Sequence, residues 1–310
     1  MKYEKDLLSV VIPTYKRSDM LCRAIESILN QTYKHIECIV VNDNNPGDDY
    51  SQILYKKLDV YKSDKRFKFI EQKTHRNGAV ARNVGIYASK GEYIAFLDDD
   101  DYWESNKAEA QIAILEKLPD EWGAVSCLMK LYRDGKVFSA PCPYKDGMIH
   151  FEVLSRLISM GTGSLIIRRQ ALDDTGYFDE NLLRYQDPQL FSYLAEKYKI
   201  KLLKRYLHNR DIDDSQNRPS IQKISVLHEA FFESVAPQFA RMSKRKVEQV
   251  KAIYELDKFS VYWHCGERIK ALRFLAGAFK YPKVALLSTE RIVNRFRSRY
   301  FIESRMEKYK

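Results

Sequence analysis

Cysteine is scarce in this chain and never closely paired: Cys22, Cys38, Cys127, Cys142 and Cys265 are scattered, with no CxxC spacing. That argues against a disulfide framework or a zinc ribbon and suits a reducing compartment. No uncharged apolar run approaches the ~20 residues that spanning a bilayer requires. The opening MKYEKDLLSVVIP also lacks the apolar core and small-residue cleavage site of a signal peptide. The expectation is a cytoplasmic protein, soluble or peripheral at the inner face of the cell membrane. Internal repeats and low-complexity tracts are missing too. So are GxGxxG and GxxxxGK[ST], which sets aside a Rossmann dehydrogenase and a P-loop kinase.

What is present suffices for a substantial core: 310 residues, 45% hydrophobic and 30% charged, enough for one large domain or a domain with an appendage. The formal charge of +10 is unevenly distributed. Residues 241–310 hold 18 Lys or Arg against 7 Asp or Glu, so the basic character belongs to the tail and the first 240 residues are close to neutral.

The first hundred residues alternate short apolar runs with helical patterns: LLSVVIPTY, DMLCRAIESILNQ, IECIVVNDN, a polar helix near 48–63, RFKFIEQ, AVARNVGIYAS and YIAFLDDDD. The alternation predicts an α/β fold with a mainly parallel sheet and covering helices. In such sheets ligands sit beyond the carboxyl ends of the strands, where this chain puts Thr14 and Tyr15, Asn42 and Asp43, and Asp98 to Asp101. From 120 to 210 the pattern is mixed, with AVSCLMKLYR, a helix at 151–159, GTGSLIIRR, a helix at 187–198 and IKLLKRYLH. Residues 221–310 read as mainly helical, interrupted at Pro282.

Asp98-Asp99-Asp100-Asp101 follows the apolar strand YIAFL and precedes Tyr102-Trp103. Four adjacent carboxylates repel one another and require full solvation or a cation. Taken alone, the run suits an acidic turn or helix N-terminus as well as a metal site. Hard oxygen donors at a strand end would select Mg²⁺ or Mn²⁺ and leave coordination positions for phosphate oxygens.

In order along the chain, SVVIPTYKR, VVNDNN, ARNVG and FLDDDDYW resemble the motifs of glycosyltransferase family 2, inverting enzymes of GT-A fold. The resemblance covers about residues 7–210. It implies that Pro13, Thr14, Tyr15 and Arg17 lie against the nucleoside, and that Asp43 accepts a hydrogen bond from the base, commonly uracil. Arg82 and Asn83 would lie near the donor, Asp98 and Asp99 would bind the nucleotide sugar, and Asp100 would hold Mn²⁺ or Mg²⁺. RYQDPQLFSYLAEKYKIKLL resembles the segment whose acidic pair opens a helix, with Gln186 here where Glu is commoner. Asp187 is then the catalytic base, Pro188 suiting the first helical turn; the alternative for Asp187 is an N-cap. His208, in LHNRD, is a further metal candidate, although a lone histidine is more often a structural hydrogen-bonder. Gly161 and Gly163 are positioned for close passage beside the acceptor, with no direct chemistry assigned.

The resemblance implies transfer from a UDP-sugar to a hydroxyl of a glycan or lipid-linked glycan in surface polysaccharide synthesis. The tail RIVNRFRSRYFIESRMEKYK mixes Ile292, Phe296, Tyr300 and Ile302 with Arg291, Arg295, Arg297 and Arg299, the composition of an interfacial helix or of a solvated helix with one face packed. Contact of 280–310 with an anionic membrane is one expectation. A nucleic-acid-binding protein is disfavoured because the basic charge is segregated from the acidic cleft. A nucleotidyltransferase would share the carboxylate-bound metal, but its glycine-rich loop with a following Arg and Lys is missing near the first strand. The expected organisation is a catalytic domain over 1–210 and a basic, mainly helical extension over 211–310.

Overall fold

Strand β1 (Glu4–Thr14) carries an uninterrupted buried run from Leu7 to Ile12, as a strand covered on both faces must. It lies between β2 (Ile36–Asn42) and β4 (Gly91–Phe96), both parallel to it, and β2 pairs in parallel with β3 (Phe67–Glu71). The protein, described from a computed structural model, is defined over residues 3–17, 19–140, 145–158, 160–212 and 220–279, with Tyr281, Ile302, Met306 and Glu307.

The remaining strands are β5 (Tyr102–Trp103), β6 (Trp122–Arg133), β7 (Lys136–Ser139), β8 (Leu165–Arg168) and β9 (Lys199–Asp211). The nine form one sheet of order β3-β2-β1-β4-β8-β6-β9-β5, with β7 on β6. The parallel character holds in β3-β2-β1-β4 and in the β6–β9 pair, whereas β8 runs antiparallel to both β4 and β6. The sheet is therefore more mixed than the apolar runs suggested. Register sets the cleft: Thr14 pairs with Asn42 and Val11 with Phe96, so the ends of β1, β2 and β4 reach one edge together.

One face of the sheet packs Leu8, Val10 and Ile12 under α1 (Leu21–Leu29), α2 (Asp49–Leu58) and α4 (Lys107–Leu115). The other face packs Val11, Ile39 and Val41 under α3 (Gly78–Ala88), α5 (His150–Leu154), α6 (Arg169–Thr175) and α7 (Gln186–Lys197). Helix α3 starts at Asn77, whose side chain accepts from the amides of Ala79 and Val80, the ordinary N-cap arrangement. It approaches β1 so closely that a Cβ on Gly85 would lie 2.2 Å from Cγ1 of Val11. Helix α5 is shorter than the expected 151–159, because Arg156 turns to φ 56° and ends the helical path.

Helices α8 (Ile221–Ser234), α9 (Ala236–Ala240), α10 (Lys244–His264) and α11 (Arg268–Phe279) follow the last strand. They share a core with the sheet domain: Phe231, Val235, Val250 and Tyr254 pack with Leu154, Leu182 and Tyr185. Most of the basic segment 280–310 lies outside the described residues. Ile302 and Met306 are described and pack against the cluster of Leu128, Ala140, Leu202 and Tyr206.

Candidate active site

The acidic run leaves β4 and turns at once, the amide of Asp101 donating to the Asp98 carbonyl at 3.1 Å. Asp98, Asp100 and Asp101 can each offer an oxygen, all within 4.8 Å of one another. Asp99 points the other way, its Oδ2 2.7 Å from the Thr14 hydroxyl at the end of β1. Arg17 reaches from the β1 turn to pair with Asp100, and Arg23 on α1 donates to the Asp100 carbonyl at 2.5 Å.

Burial raises the proton affinity of this group. Asp99 is pushed up to about 7, mainly by desolvation and then by Asp100, and Asp100 to about 6 by desolvation with Asp98 and Asp101. Asp101 also lies well above the ordinary carboxylate range, from burial and from Asp98. Asp98 alone is held low: burial opposes this, but the guanidinium groups of Arg82 and Arg210 prevail. Buried beside one another, these carboxylates would all ionise together only with a cation among them. An all-oxygen donor set in that condition fits Mg²⁺ or Mn²⁺.

His208, from β9, meets the cluster through Asp101, its Nε2 2.8 Å from Oδ2. It is fully buried, with its pKa lowered to about 3 by desolvation and then by Lys107, so the ring is neutral. A Cβ on Gly163 would sit 2.6 Å from that Nε2, so the Gly161–Gly163 segment is packed directly on the histidine.

On the β2 side, Asp43 is 2% exposed and its carboxylate is fully engaged. Oδ1 accepts from Gln72 Nε2 at 2.6 Å and from the Arg76 amide at 3.0 Å, while Oδ2 lies 3.0 Å from His75 Nδ1. Tyr15 projects beside it, stacked on the His75 ring. Lys16, left-handed at φ 54°, has its amide held by Asn44 Oδ1 at 2.9 Å, and this fixes the turn after Pro13 and Thr14.

On the opposite side, α7 opens at Tyr185, also left-handed at φ 66°, and presents Gln186 and Asp187. Arg82 on α3 joins the two regions: Nη2 donates to Asp98 at 2.6 Å and Nη1 to Gln186 Oε1 at 3.1 Å. Asp187 is raised above the usual range by burial, with Arg82 opposing and Asp98 adding to the shift. Asn83 is engaged elsewhere. Its amide holds the 178–180 loop, exchanging bonds with the Phe178 main chain at 2.9 and 3.1 Å and donating to Glu180 at 3.0 Å.

Several residues here carry no motif of their own. Gln72, His75 and Arg76 come from an irregular loop and are recognisable only through their contacts with Asp43. Arg210 was missed in the sequence, although a signal was there: it lies two residues beyond His208 on β9, hence on the same strand face, and its charge acts on Asp98, Asp100, Asp101 and Asp187.

The sequence model described as Glycosyl transferase family 2 matches residues 9–174, more than half of the chain. The chain belongs to that family. Among curated relatives of this glycosyltransferase family 2 member, an uncharacterized glycosyltransferase of Rickettsia bellii is 42% identical over 36% of this chain and 15% of its own length. The amylovoran biosynthesis glycosyltransferase AmsB of Erwinia amylovora is 29% identical over 60% of this chain and 63% of its own. The Escherichia coli UDP-Glc:alpha-D-GlcNAc-diphosphoundecaprenol beta-1,3-glucosyltransferase WfaP is 38% identical over 36% and 42%. Each match spans less than two thirds of the relative. S. aureus TarS 1–349, in complex with UDP-GlcNAc, superposes with a TM-score of 0.61 at 19% identity, over 98% of this chain and 91% of that one. The mannosyltransferase PcManGT of Pyrobaculum calidifontis, with GDP-Man and Mn²⁺, gives 0.57 at 17%, over 97% and 84%. The fold is GT-A. Among the described residues, no helix is long and apolar enough to cross a membrane.

Proposed function

We propose that this chain transfers a sugar from a UDP-sugar to a hydroxyl of a glycan or lipid-linked glycan acceptor, with inversion, as a step in surface polysaccharide synthesis. One observation carries the reading: a half-buried acidic cluster flanked by Tyr15 and Asp43 on one side and, across Arg82, by a separate carboxylate at Asp187. A donor site and a base that stands apart from it are what a single displacement needs.

In this reading the Pro13–Tyr15 turn and Asp43 hold the nucleoside, with Asp99 fixed by Thr14 and Arg17 against Asp100. Asp98, Asp100 and Asp101 would hold the divalent ion, with His208 bracing Asp101. When bound, the ion supplies neutralisation of the departing diphosphate. Asp187 takes the acceptor proton at a carboxylate oxygen, its raised proton affinity suiting a base. Arg82 and Arg210 keep the two acidic regions at workable charge.

The UDP preference is supported by the name of the WfaP relative and by Asp43 lying beside Tyr15 at the end of β2, where a base could meet a carboxylate. We extend the proposal to contact between the basic residues of 280–310 and an anionic membrane, which would bring the cleft to a lipid-linked acceptor. The decisive assay supplies UDP-sugars, Mn²⁺ and diphospholipid-linked acceptors and determines the anomeric configuration of the product. An inverted linkage is expected. A retained one would refute single displacement at Asp187.

A further inference from the structure

His75 is bound the way a nucleobase would be. Its ring lies flat on Tyr15, centroids 3.8 Å apart and planes 11° apart, the geometry of an aromatic stack. Its Nδ1 is 3.0 Å from Asp43 Oδ2 and 2.9 Å from the Asp43 carbonyl. Gln72 and Arg76 occupy Oδ1, so the carboxylate oxygen that the His75 ring lies against is the one they leave, while Nδ1 bonds the Asp43 main-chain carbonyl. A base stacked on that face of Tyr15 with an N–H toward Asp43 would need both of the partners His75 now uses.

The rest of the loop is suited to releasing only the side chain. The His75 amide donates to Asn45 Oδ1 at 3.0 Å and the Arg76 amide to Asp43, so the backbone is tied on both sides of the ring. The His75 side chain is 35% exposed against 3% for Asp43. A rotation about the side-chain bonds would carry the imidazole into water without disturbing the packed core.

We propose that His75 is an internal stand-in for the base of the donor nucleotide, stacking on Tyr15 and capping Asp43 until the base displaces it. This rests on the nucleotide-sugar reading of the site. Its effect is to lower donor affinity by the fraction of molecules in which the ring is in place. It also keeps the buried Asp43 carboxylate satisfied between turnovers. Any base that enters must then offer both a stacking face and a donor toward Asp43, or it leaves the exchange incomplete.

Calorimetric titration of the full chain with UDP and Mn²⁺, and separately with inorganic pyrophosphate and Mn²⁺, tests this in wild type, His75→Ala and His75→Phe. Losing a stack and a hydrogen bond from the competing state should tighten UDP binding about 5- to 10-fold in His75→Ala. His75→Phe, which keeps a ring for Tyr15 but no N–H for Asp43, should gain less. Pyrophosphate, which has no base, should bind all three alike. UDP binding that is unchanged or weaker in His75→Ala, with wild type still binding, would overturn the stand-in and make His75 a brace or a direct contact. Failure of all three proteins to bind UDP would remove the nucleotide reading and this inference together. Equal tightening for pyrophosphate would mean general loosening of the site and would also overturn it.

Discussion

Arg82 donates to Asp98 at 2.6 Å from one nitrogen while another, at 3.1 Å, holds Gln186 beside Asp187. One guanidinium on α3 thereby fixes the distance between the acidic cluster and the helix that carries the proposed base. Arg82→Met should cost about 2–3 kcal/mol, because Asp98 is left partly buried without its partner. Arg82→Lys, keeping the charge but not the fork, should cost less. Urea unfolding measures both; a loss below about 0.5 kcal/mol would mean that the pair is screened like a surface one.

The C-terminal helices support the same region. Tyr185, at the left-handed entry to α7, lies 3.0 Å through its hydroxyl from Nε2 of buried His228 on α8. Burial lowers the His228 pKa to about 4. The unfolded chain therefore binds the proton first as pH falls, and stability is lost from about pH 6.5 down to about 4, where the folded form also protonates. Between pH 7 and 5 this amounts to about 2 kcal/mol. His228→Gln should lower stability at pH 7 but flatten this acid limb, as thermal unfolding at the two pH values will report; an equally steep limb would assign the acid sensitivity to other groups.

Gly163 lies against His208, which lies against Asp101. Gly163→Ala should push the ring off the carboxylate and raise the Mn²⁺ concentration needed for half-maximal UDP binding about 10-fold, as disturbance of a ligand's support commonly does. Gly161→Ala is the control, since its Cβ would press on the flexible Met129 side chain at 3.2 Å and meet the His208 ring only at an ordinary contact distance of 3.4 Å. Equal effects of the two substitutions would argue against a supporting part for His208.

The membrane proposal makes a separate prediction. Changing Arg291, Arg295, Arg297 and Arg299 together to Gln should release the protein from vesicles of anionic lipid at low salt, at about 1 kcal/mol per charge. UDP binding should stay as in wild type. Undiminished sedimentation with the vesicles would place the contact elsewhere. The packing of Ile302 and Met306 on the β6–β9 side means that these two residues are already committed to the protein.

Much of the first half was legible because β1, β2 and β4 are buried on both faces and therefore read as continuous apolar runs ending in polar residues. Helix α4 went unread for the opposite reason. Lys107 and Gln111 occupy buried positions on it, the Lys107 ammonium lying 3.6 Å over the Trp103 ring, so the apolar stripe is broken by polar letters. The antiparallel entry of β8 is a matter of long-range pairing that no local period encodes. At the site, Asp43 and Asp187 were singled out from motif context, and the structure puts one at the end of β2 and the other in the first turn of α7. The ring on Tyr15, the Asn83 bonds to Phe178 and the Tyr185–His228 contact depend on loops and on helices 43 or more positions away, where sequence spacing carries no information.

A metal-dependent UDP site with a base outside it is tested most sharply by calorimetric titration with UDP, with and without Mn²⁺, of wild type, Asp100→Ala and Asp187→Asn. Binding in wild type should depend on Mn²⁺, be weakened by Asp100→Ala and be retained by Asp187→Asn, which instead should lose most of the transfer. Equal loss of binding in both variants would make Asp187 a structural residue. Binding in wild type that is indifferent to Mn²⁺ would contradict the assignment of the acidic cluster.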